Sequence, residues 1–295
     1  MQNGHRFEII RGAQFVDITD LVNYGLVEFD GFGMPDVRRL TQRGPLQNGD
    51  TDVGFRLDPR IMRLAVIAYA GSEQGIIDKR AALLGLLRPG NGGLILRWTY
   101  DGVSKQIDCH YAGGMTLPST DWKLGHHRAV FELRAADPTW YMTDSTTVTW
   151  ANDGGGSGFT FPLPVPFTFG GSVIDANQSV DLSNANAWET FPTIYIYGRI
   201  NSPIVTNQTT GDTLNFTGNN VGVGEYVVID LAYGTKTVNL VSGGVSTNWV
   251  SKLTTSSDLA TFSLQPGENT VNLSGSNADS TTRVEMVYNE RLVGV

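Results

Sequence analysis

The sequence is poor in cysteine and has no long apolar run. Cys109 is the single cysteine, so no disulfide can form within one chain, and stability must come from packing or assembly. No apolar run approaches the roughly 18 residues of a membrane-spanning helix. The start, "MQNGHRFEIIRG", lacks a basic region followed by an apolar stretch, so we expect no signal peptide.

Basic charge is scarce in the second half of the chain. Residues 1–145 hold 16 Lys and Arg against 17 Asp and Glu, for a net charge of −1. Residues 146–295 hold 5 against 12, for a net charge of −7. The shift predicts a domain boundary near residue 145. An acidic protein lacks the clustered Lys and Arg that grip a nucleic-acid backbone, so we expect no specific DNA binding.

The sequence also lacks recognisable catalytic or metal-binding patterns. It holds no phosphate-binding loop and no nucleophile elbow. His126 and His127 are adjacent on an expected strand and would point to opposite faces, so they cannot easily share one metal. Asp108 and His110 could share a face, but two ligands do not make a site. We therefore predict no catalytic residue, no metal site and no cofactor.

Strand patterns dominate the chain and predict a mainly β protein. After residue 173 alternating strands follow one another, with turn signals every 8–14 residues, which is typical of a β-sandwich. The last strand should place Val284, Met286 and Tyr288 on one face. The phenylalanine- and proline-rich segment 152–171 is interpreted as an edge strand that starts the second domain.

The first half carries one helix signal and one hairpin signal. Ser72 is a suitable N-cap and Glu73 an acid in the first turn. Apolar residues with one arginine follow at helical spacing: Ile76, Ile77, Arg80, Leu83, Leu84 and Leu87. We expect this helix to lie on a sheet face, or to face a neighbouring subunit. Asp101-Gly102, between two alternating runs, predicts a tight β-hairpin.

Two groups of residues are candidate contact sites. A long polar segment at 27–52 predicts a functional loop or interaction arm. Basic residues in and beside it could meet acids on a neighbour or a partner, or form ordinary solvated ion pairs: Arg38, Arg39, Arg43, Arg56, Arg60 and Arg63. Trp188 and Trp249 could form an aromatic sugar platform together with Tyr195, Tyr197, Tyr226 and Tyr233, although alternating aromatics are more often core residues.

An ordered set of phrases resembles one family of virus proteins. In the first half these are "RGPLQNGDTDVGFRLDPRIMRLAV", "LLRPG", "YAGGM" and, above all, "ADPTWY" at 136–141. In the second half they are "FPLPVPFTFG", "FPTIYIYGRINSPIVTNQTTGDTLNF", "VGEYVVIDLAYGTKTV" and "FSLQPGENTVNL". Together they resemble the distal tail proteins of long flexible-tailed bacteriophages, the siphovirus-type tail component family.

The resemblance implies two β-sandwich-type domains. Residues 1–145 would be the N-terminal belt domain, with a single α-helix and a β-hairpin, and 146–295 a galectin-like domain. It implies a structural virion protein without catalysis, made in the host bacterial cytoplasm. A homo-hexameric ring would join the tail tube protein to the tail-tip hub protein and let DNA pass. The second domain would hold side fibres or a receptor-binding protein.

Two other functions remain open. The second domain could be a carbohydrate-binding module that attaches the virion to the host surface, with Trp188 and Trp249 as sugar contacts. An enzyme that degrades host polysaccharide would need two carboxylates facing each other across a cleft. Asp175, Glu189, Glu225 and Asp230 are the acids available for such a pair. Acidic residues on a sandwich surface usually serve solubility. The favoured interpretation is therefore a structural adaptor, the ring that joins the tail tube to the tail tip.

Overall fold

The chain folds into two compact units, each built mainly from antiparallel strands. The computed structural model describes residues 4–90, 92–117, 122–123, 125–151 and 173–295. The predicted edge strand at 152–171 lies outside them. One unit comprises Met1–Asp144 with Arg291–Val295, and the other comprises Ser145–Glu290. The mainly β fold is confirmed.

The first unit is a sandwich whose two sheets share one long strand. Its strands are β1 (His5–Arg11), β2 (Gln14–Asp17), β3 (Tyr24–Asp30), β4 (Val37–Gln42), β5 (Thr51–Leu57), β6 (Arg60–Tyr69), β7 (Leu94–Tyr100), β8 (Val103–Thr116), β9 (Trp122–Lys123), β10 (His126–Ala135) and β11 (Trp140–Met142). One sheet runs β2-β1-β7-β8-β11, and the other runs β3-β6-β10-β8. The fourteen residues of β8 pair with β7 first and with β10 afterwards.

Apolar side chains on the inner face of β6 and β10 form much of the core of the first unit. Leu64 and Val66 on β6 are fully buried, as are Phe131 and Leu133 on β10. Cys109 on β8 lies in the same core at 0% exposure. Burial raises the pKa of its thiol to about 12. Cys109 is therefore a small buried side chain of this core.

Helix α1 (Glu73–Leu87) begins as its sequence predicts. The side chain of Ser72 accepts a hydrogen bond from the Gly75 amide at 3.1 Å, and Glu73 lies in the first turn. Ile76, Leu83 and Leu87 are buried, as expected. The predicted apolar stripe is wrong at two positions, because Ile77 and Leu84 are 42% and 46% exposed. The helix therefore carries apolar side chains on both sides.

The hairpin of β7 and β8 is also confirmed. Tyr100 pairs with Val103 across the turn. Asp101 and Gly102 both have positive φ, 49° and 77°. That pair of angles matches the right-handed twist of the strands, and aspartate followed by glycine adopts it at the lowest cost.

The second unit is a sandwich of two antiparallel sheets. Its strands are β12 (Thr146–Ala151), β13 (Ile174–Leu182), β14 (Ala187–Trp188), β15 (Thr193–Tyr197), β16 (Ile200–Asn207), β17 (Thr213–Asn215), β18 (Asn220–Val221), β19 (Tyr226–Asp230), β20 (Thr237–Ser242), β21 (Val245–Asn248), β22 (Gly267–Ser276) and β23 (Arg283–Tyr288), with one 3-10 turn at Val250–Lys252. One sheet runs β12-β23-β15-β19-β20-β21 and the other β13-β22-β16-β17. Val284, Met286 and Tyr288 are buried, as predicted.

The end of the chain departs from the predicted domain 146–295. The short strand Arg291–Leu292 pairs with β11 and belongs to the first unit. Leu292 is fully buried. Nη2 of Arg291 donates to both carboxylate oxygens of Asp137, at 2.7 and 2.6 Å. These contacts tie the last five residues to the "ADPTWY" segment.

Candidate assembly surface

The segment at 27–52, predicted as a functional loop or an interaction arm, contributes to a two-stranded arm between β3 and β6. β4 and β5 pair only with each other, from Val37 opposite Leu57 to Gln42 opposite Thr51. All six residues of β4 are exposed, and most of β5 is too. A two-stranded hairpin that packs on nothing is marginally stable in water. The arm is therefore expected to rest on another surface when the protein works.

Most of the arm's basic charge is already paired within the arm. Arg38 lies 3.2 Å from Asp58, and Arg56 lies 3.7 Å from the same carboxylate. Arg39 lies 3.1 Å from Asp52. Such exposed pairs contribute about 0–1 kcal/mol each, because water competes for both ions. Arg38, Arg39 and Arg56 thus form local ion pairs, which was the alternative interpretation of the basic region.

The arm also exposes a series of large apolar side chains. Leu46 at the tip is 98% exposed and Val53 is 63% exposed. Others lie along the arm and at its base: Met34, Val37, Leu40 and Phe55. Exposed apolar side chains in such a series typically mark an interaction surface. The arm's recognition chemistry is therefore apolar at least as much as basic.

Arg60 is not a surface residue, which corrects the predicted interface set. It is 3% exposed, and burial lowers its pKa to about 10. Its guanidinium donates to four backbone oxygens: Pro138 O at 2.7 Å, Gly31 O at 2.7 Å, Gly33 O at 2.5 Å and Val293 O at 2.7 Å. The planar five-donor fork of arginine suits such a clamp. Arg60 therefore fixes the root of the arm to the "ADPTWY" segment and the end of the chain.

Neighbouring residues at the root reinforce this clamp. Gly31 has φ +82°, and a Cβ there would lie 2.1 Å from Ile61 O, so only glycine fits. Phe32 is 5% exposed, and its ring centroid lies 5.3 Å from that of Trp140. The Val295 amide donates to Phe32 O at 3.1 Å. The exposed arm thus leaves the body from a rigid base.

The other predicted arginines are exposed. Arg43 lies near the arm tip, and Arg63 lies on β6 beyond the root. With Arg38, Arg39 and Arg56 they leave five of the six proposed contacts at the surface. Whether they contact a neighbouring subunit or the tube stays a prediction.

The two predicted sugar-contact tryptophans are not on a common open platform. Trp249 is 9% exposed and stacks on Phe216, with ring centroids 5.2 Å apart. Removing it would open the core, so it is a poor candidate for a ligand contact. Trp188 is half-buried on β14.

Three tyrosines, in contrast, lie on the outer face of the six-stranded sheet. Tyr195, Tyr197 and Tyr226 alternate with buried neighbours, and the Tyr197 and Tyr226 ring centroids lie 5.1 Å apart. Cζ of Arg283 lies 3.9 Å from the Tyr197 ring centroid. Burial and then the nearby Glu285 raise the pKa of Tyr197. The sequence could not place these rings, because an alternating strand does not say which face is buried.

No metal or membrane feature emerges in the described part of the chain. Among these residues no three His, Cys, Asp or Glu side chains gather as metal ligands. None of the helices within the same ranges is long and apolar enough to cross a membrane.

A comparison with known families finds a match over much of the second unit. Residues 185–292 match a family model described as the siphovirus-type tail component, C-terminal domain. This part of the chain is similar to siphovirus-type tail component domains. The resemblance found in the sequence is thereby confirmed. No curated protein matches the chain.

Solved phage structures share the fold of the whole chain. The crystal structure of the Dit protein (gp 19.1) of phage SPP1 aligns with TM-score 0.67 at 14% identity, covering 97% of this chain and 99% of that one. It is described as a paradigm of the hub adsorption apparatus in phages that infect Gram-positive bacteria. Two structures of the phage P2 baseplate in its activated conformation, with Ca and with Sr, align with TM-score 0.54 at 11% identity. They cover 99% of this chain and 99% and 100% of theirs.

Proposed function

We propose that this protein is a non-catalytic structural adaptor at the distal end of a phage tail. A homo-hexameric ring joins the tail tube protein to the tail-tip hub protein and leaves a channel for DNA. The first unit forms the ring, and the second, with the proposed galectin-like form, holds side fibres or a receptor-binding protein. The family match and the fold shared with a phage hub protein support this role.

The observation that carries the ring proposal is the exposed arm on a rigid root. Leu46 and Val53 would cost free energy in water unless another surface covers them. Arg60 fixes the direction in which the arm leaves the unit. A fixed arm that contacts a different patch on the next copy gives a heterologous contact, and such contacts close into rings when the rotation allows.

The charge of the protein agrees with DNA passage without binding. The net charge is −8, and the arm's arginines are largely offset by its own aspartates. A channel wall of this character would not hold the phosphate backbone, which requires clustered unpaired cations.

Light scattering with negative-stain imaging of the full chain tests the ring. We expect particles of six times 32.0 kDa with a central hole. Val53→Asp on the arm should shift the particles towards monomers, whereas Val245→Asp, an equally exposed change on the second unit, should not. A monomer at every concentration, or equal effects of both variants, would contradict the proposal.

A second candidate function is attachment of the virion to host carbohydrate. The tyrosine row on the outer sheet face favours it, since half-buried aromatic rings beside Arg283 and Glu285 offer both stacking and hydrogen bonding to a sugar. A glycan array with the full chain should then show binding that Tyr197→Ala and Tyr226→Ala abolish. Tyr100→Ala, an exposed tyrosine of the first unit, is the control. No binding by the parent chain would remove this candidate.

A further inference from the structure

The loop at the tip of the arm carries an asparagine followed by a glycine, Asn48-Gly49. Both residues are exposed, and Gly49 has φ +78° with nothing within 4 Å of the place where a Cβ would stand. Asn48 is the one asparagine in the described ranges that a glycine follows. The pair is chemically distinctive, because glycine has no Cβ to keep the carboxamide of the preceding residue away from its backbone nitrogen.

The hydrogen bonds of the tip leave both groups of this pair free to react. Gln47 holds the loop, since its backbone amide donates to Gly44 O at 3.2 Å and its Oε1 accepts from the Gly44 amide at 3.0 Å. Its Nε2 donates to Oγ1 of Thr51 at 2.8 Å. Neither the Asn48 carboxamide nor the Gly49 amide forms a hydrogen bond with any residue that the structure describes. Because β4 and β5 pair only with each other, the tip can sample the geometry that a reaction between them needs.

We propose that Asn48 is a site of spontaneous modification, which converts it to isoaspartate and aspartate while the arm tip is uncovered. The Gly49 backbone nitrogen gives its proton to hydroxide and attacks Cγ of Asn48. A C–N bond forms, the bond between Cγ and Nδ2 breaks, and Nδ2 leaves as ammonia. Water then opens the resulting succinimide ring at either of its carbonyl carbons. Overall, water is consumed and ammonia is released, and no atom changes its oxidation state.

The products change both the charge and the backbone of the tip. Arg43 and Asp50 are the charged residues of the loop between β4 and β5, so a new carboxylate takes the loop from neutral to negative. Isoaspartate also routes the main chain through the side chain, which lengthens the connection between the two strands by one methylene group. A carboxylate costs far more to bury than a carboxamide, so the converted tip is a poorer surface for covering the exposed Leu46. This last consequence rests on the proposed ring, whereas the reaction does not.

Peptide mapping of the full chain, after incubation at mildly alkaline pH, tests the reaction. Trypsin releases residues 44–56 with Asn48 as their single asparagine, and the two other Asn-Gly pairs of the sequence fall in other peptides. We expect this peptide to gain the mass of an amide-to-acid exchange, and an isoaspartate-specific methyltransferase to label it. Gly49→Ala should lose most of the conversion, and Asn48→Ser should lose all of it. Asn248, which is exposed but followed by tryptophan, is the internal control and should stay unchanged.

A second chain separates the modification from the ring. Val53→Asp, which should release the arm from assembly, is mapped beside the parent chain. Conversion of Asn48 in either chain supports the modification, and conversion in Val53→Asp alone adds that assembly covers the tip. If neither folded chain converts while both convert when unfolded in guanidinium chloride, the folded arm blocks the attack and the proposal is overturned. Absence of conversion in the unfolded chains, or equal conversion in Gly49→Ala, overturns it as well.

Discussion

Replacing Arg60 by methionine is the sharpest test of the rigid arm root. The four hydrogen bonds of Arg60 to backbone oxygens are charge-assisted, and at the low end of the usual range of about 1.5 kcal/mol each they contribute about 6 kcal/mol. Burial opposes them, since a pKa lowered from 12.5 to about 10 corresponds to about 3 kcal/mol. The net stabilisation is therefore about 3 kcal/mol.

Methionine fills a similar volume but donates no hydrogen bond. Arg60→Met should therefore lower the free energy of unfolding of the first unit by about 3 kcal/mol, since the four oxygens lose their donor. With an m-value of about 2 kcal/mol per M in urea, the midpoint should fall by about 1.5 M. Arg60→Lys should lie between, because an ammonium has only three donors and no planar fork.

The buried thiol provides an assay specific to the first unit. Cys109 is the single cysteine and is 0% exposed, so its modification across a urea series reports opening of this unit alone. Arg63→Met is the control, because Arg63 is an exposed arginine three residues further along the same strand. Surface changes usually stay within about 0.5 kcal/mol. A loss below about 1 kcal/mol for Arg60→Met would refute the clamp.

Three further changes test other features of the first unit. Gly31→Ala should destabilise the first unit by at least about 2 kcal/mol in the urea series, because its Cβ would strike Ile61 O; Gly12→Ala, also at positive φ but in open space, should cost about 1 kcal/mol. Ser72→Ala should cost about 1 kcal/mol by the same measurement, whereas Ser72→Asp should retain the cap. Stability should fall as pH rises from 9 towards 12, because the Cys109 thiol ionises in the unfolded chain first, and Cys109→Ala should remove that part of the slope.

Local chemistry made part of the fold predictable. Ser72 starts α1, and Asp101-Gly102 turns the hairpin, because a cap and a tight turn depend on a few adjacent residues. The buried positions of β23 followed from alternation and apolarity together. These features could be predicted because they depend on adjacent residues and not on contacts with distant parts of the chain.

Long-range partners made the rest unpredictable. Arg60 looked like its five basic neighbours, and only the approach of Val293, more than two hundred residues away, reveals it as a buried clamp. Tyr195 and Tyr197 alternate with Ile194 and Ile196, and either set could have faced the core. Ile77 and Leu84 fitted a core stripe, yet the helix turns them outward.

The Arg60 clamp explains how a marginally stable arm could make a specific contact with another subunit. An arm free at its root would sample many directions, and ordering it on a partner would cost about 1–2 kcal/mol for each backbone residue fixed. Arg60, Gly31 and Phe32 order the root before any partner arrives, so that cost is confined to the exposed strands. Because the clamp also holds Val293, removing residues 291–295 should weaken assembly without touching a single arm contact. Val245→Asp leaves the clamp intact and should not weaken assembly. Equal assembly of the truncated and full-length chains would contradict the proposed link between the end of the chain and the arm.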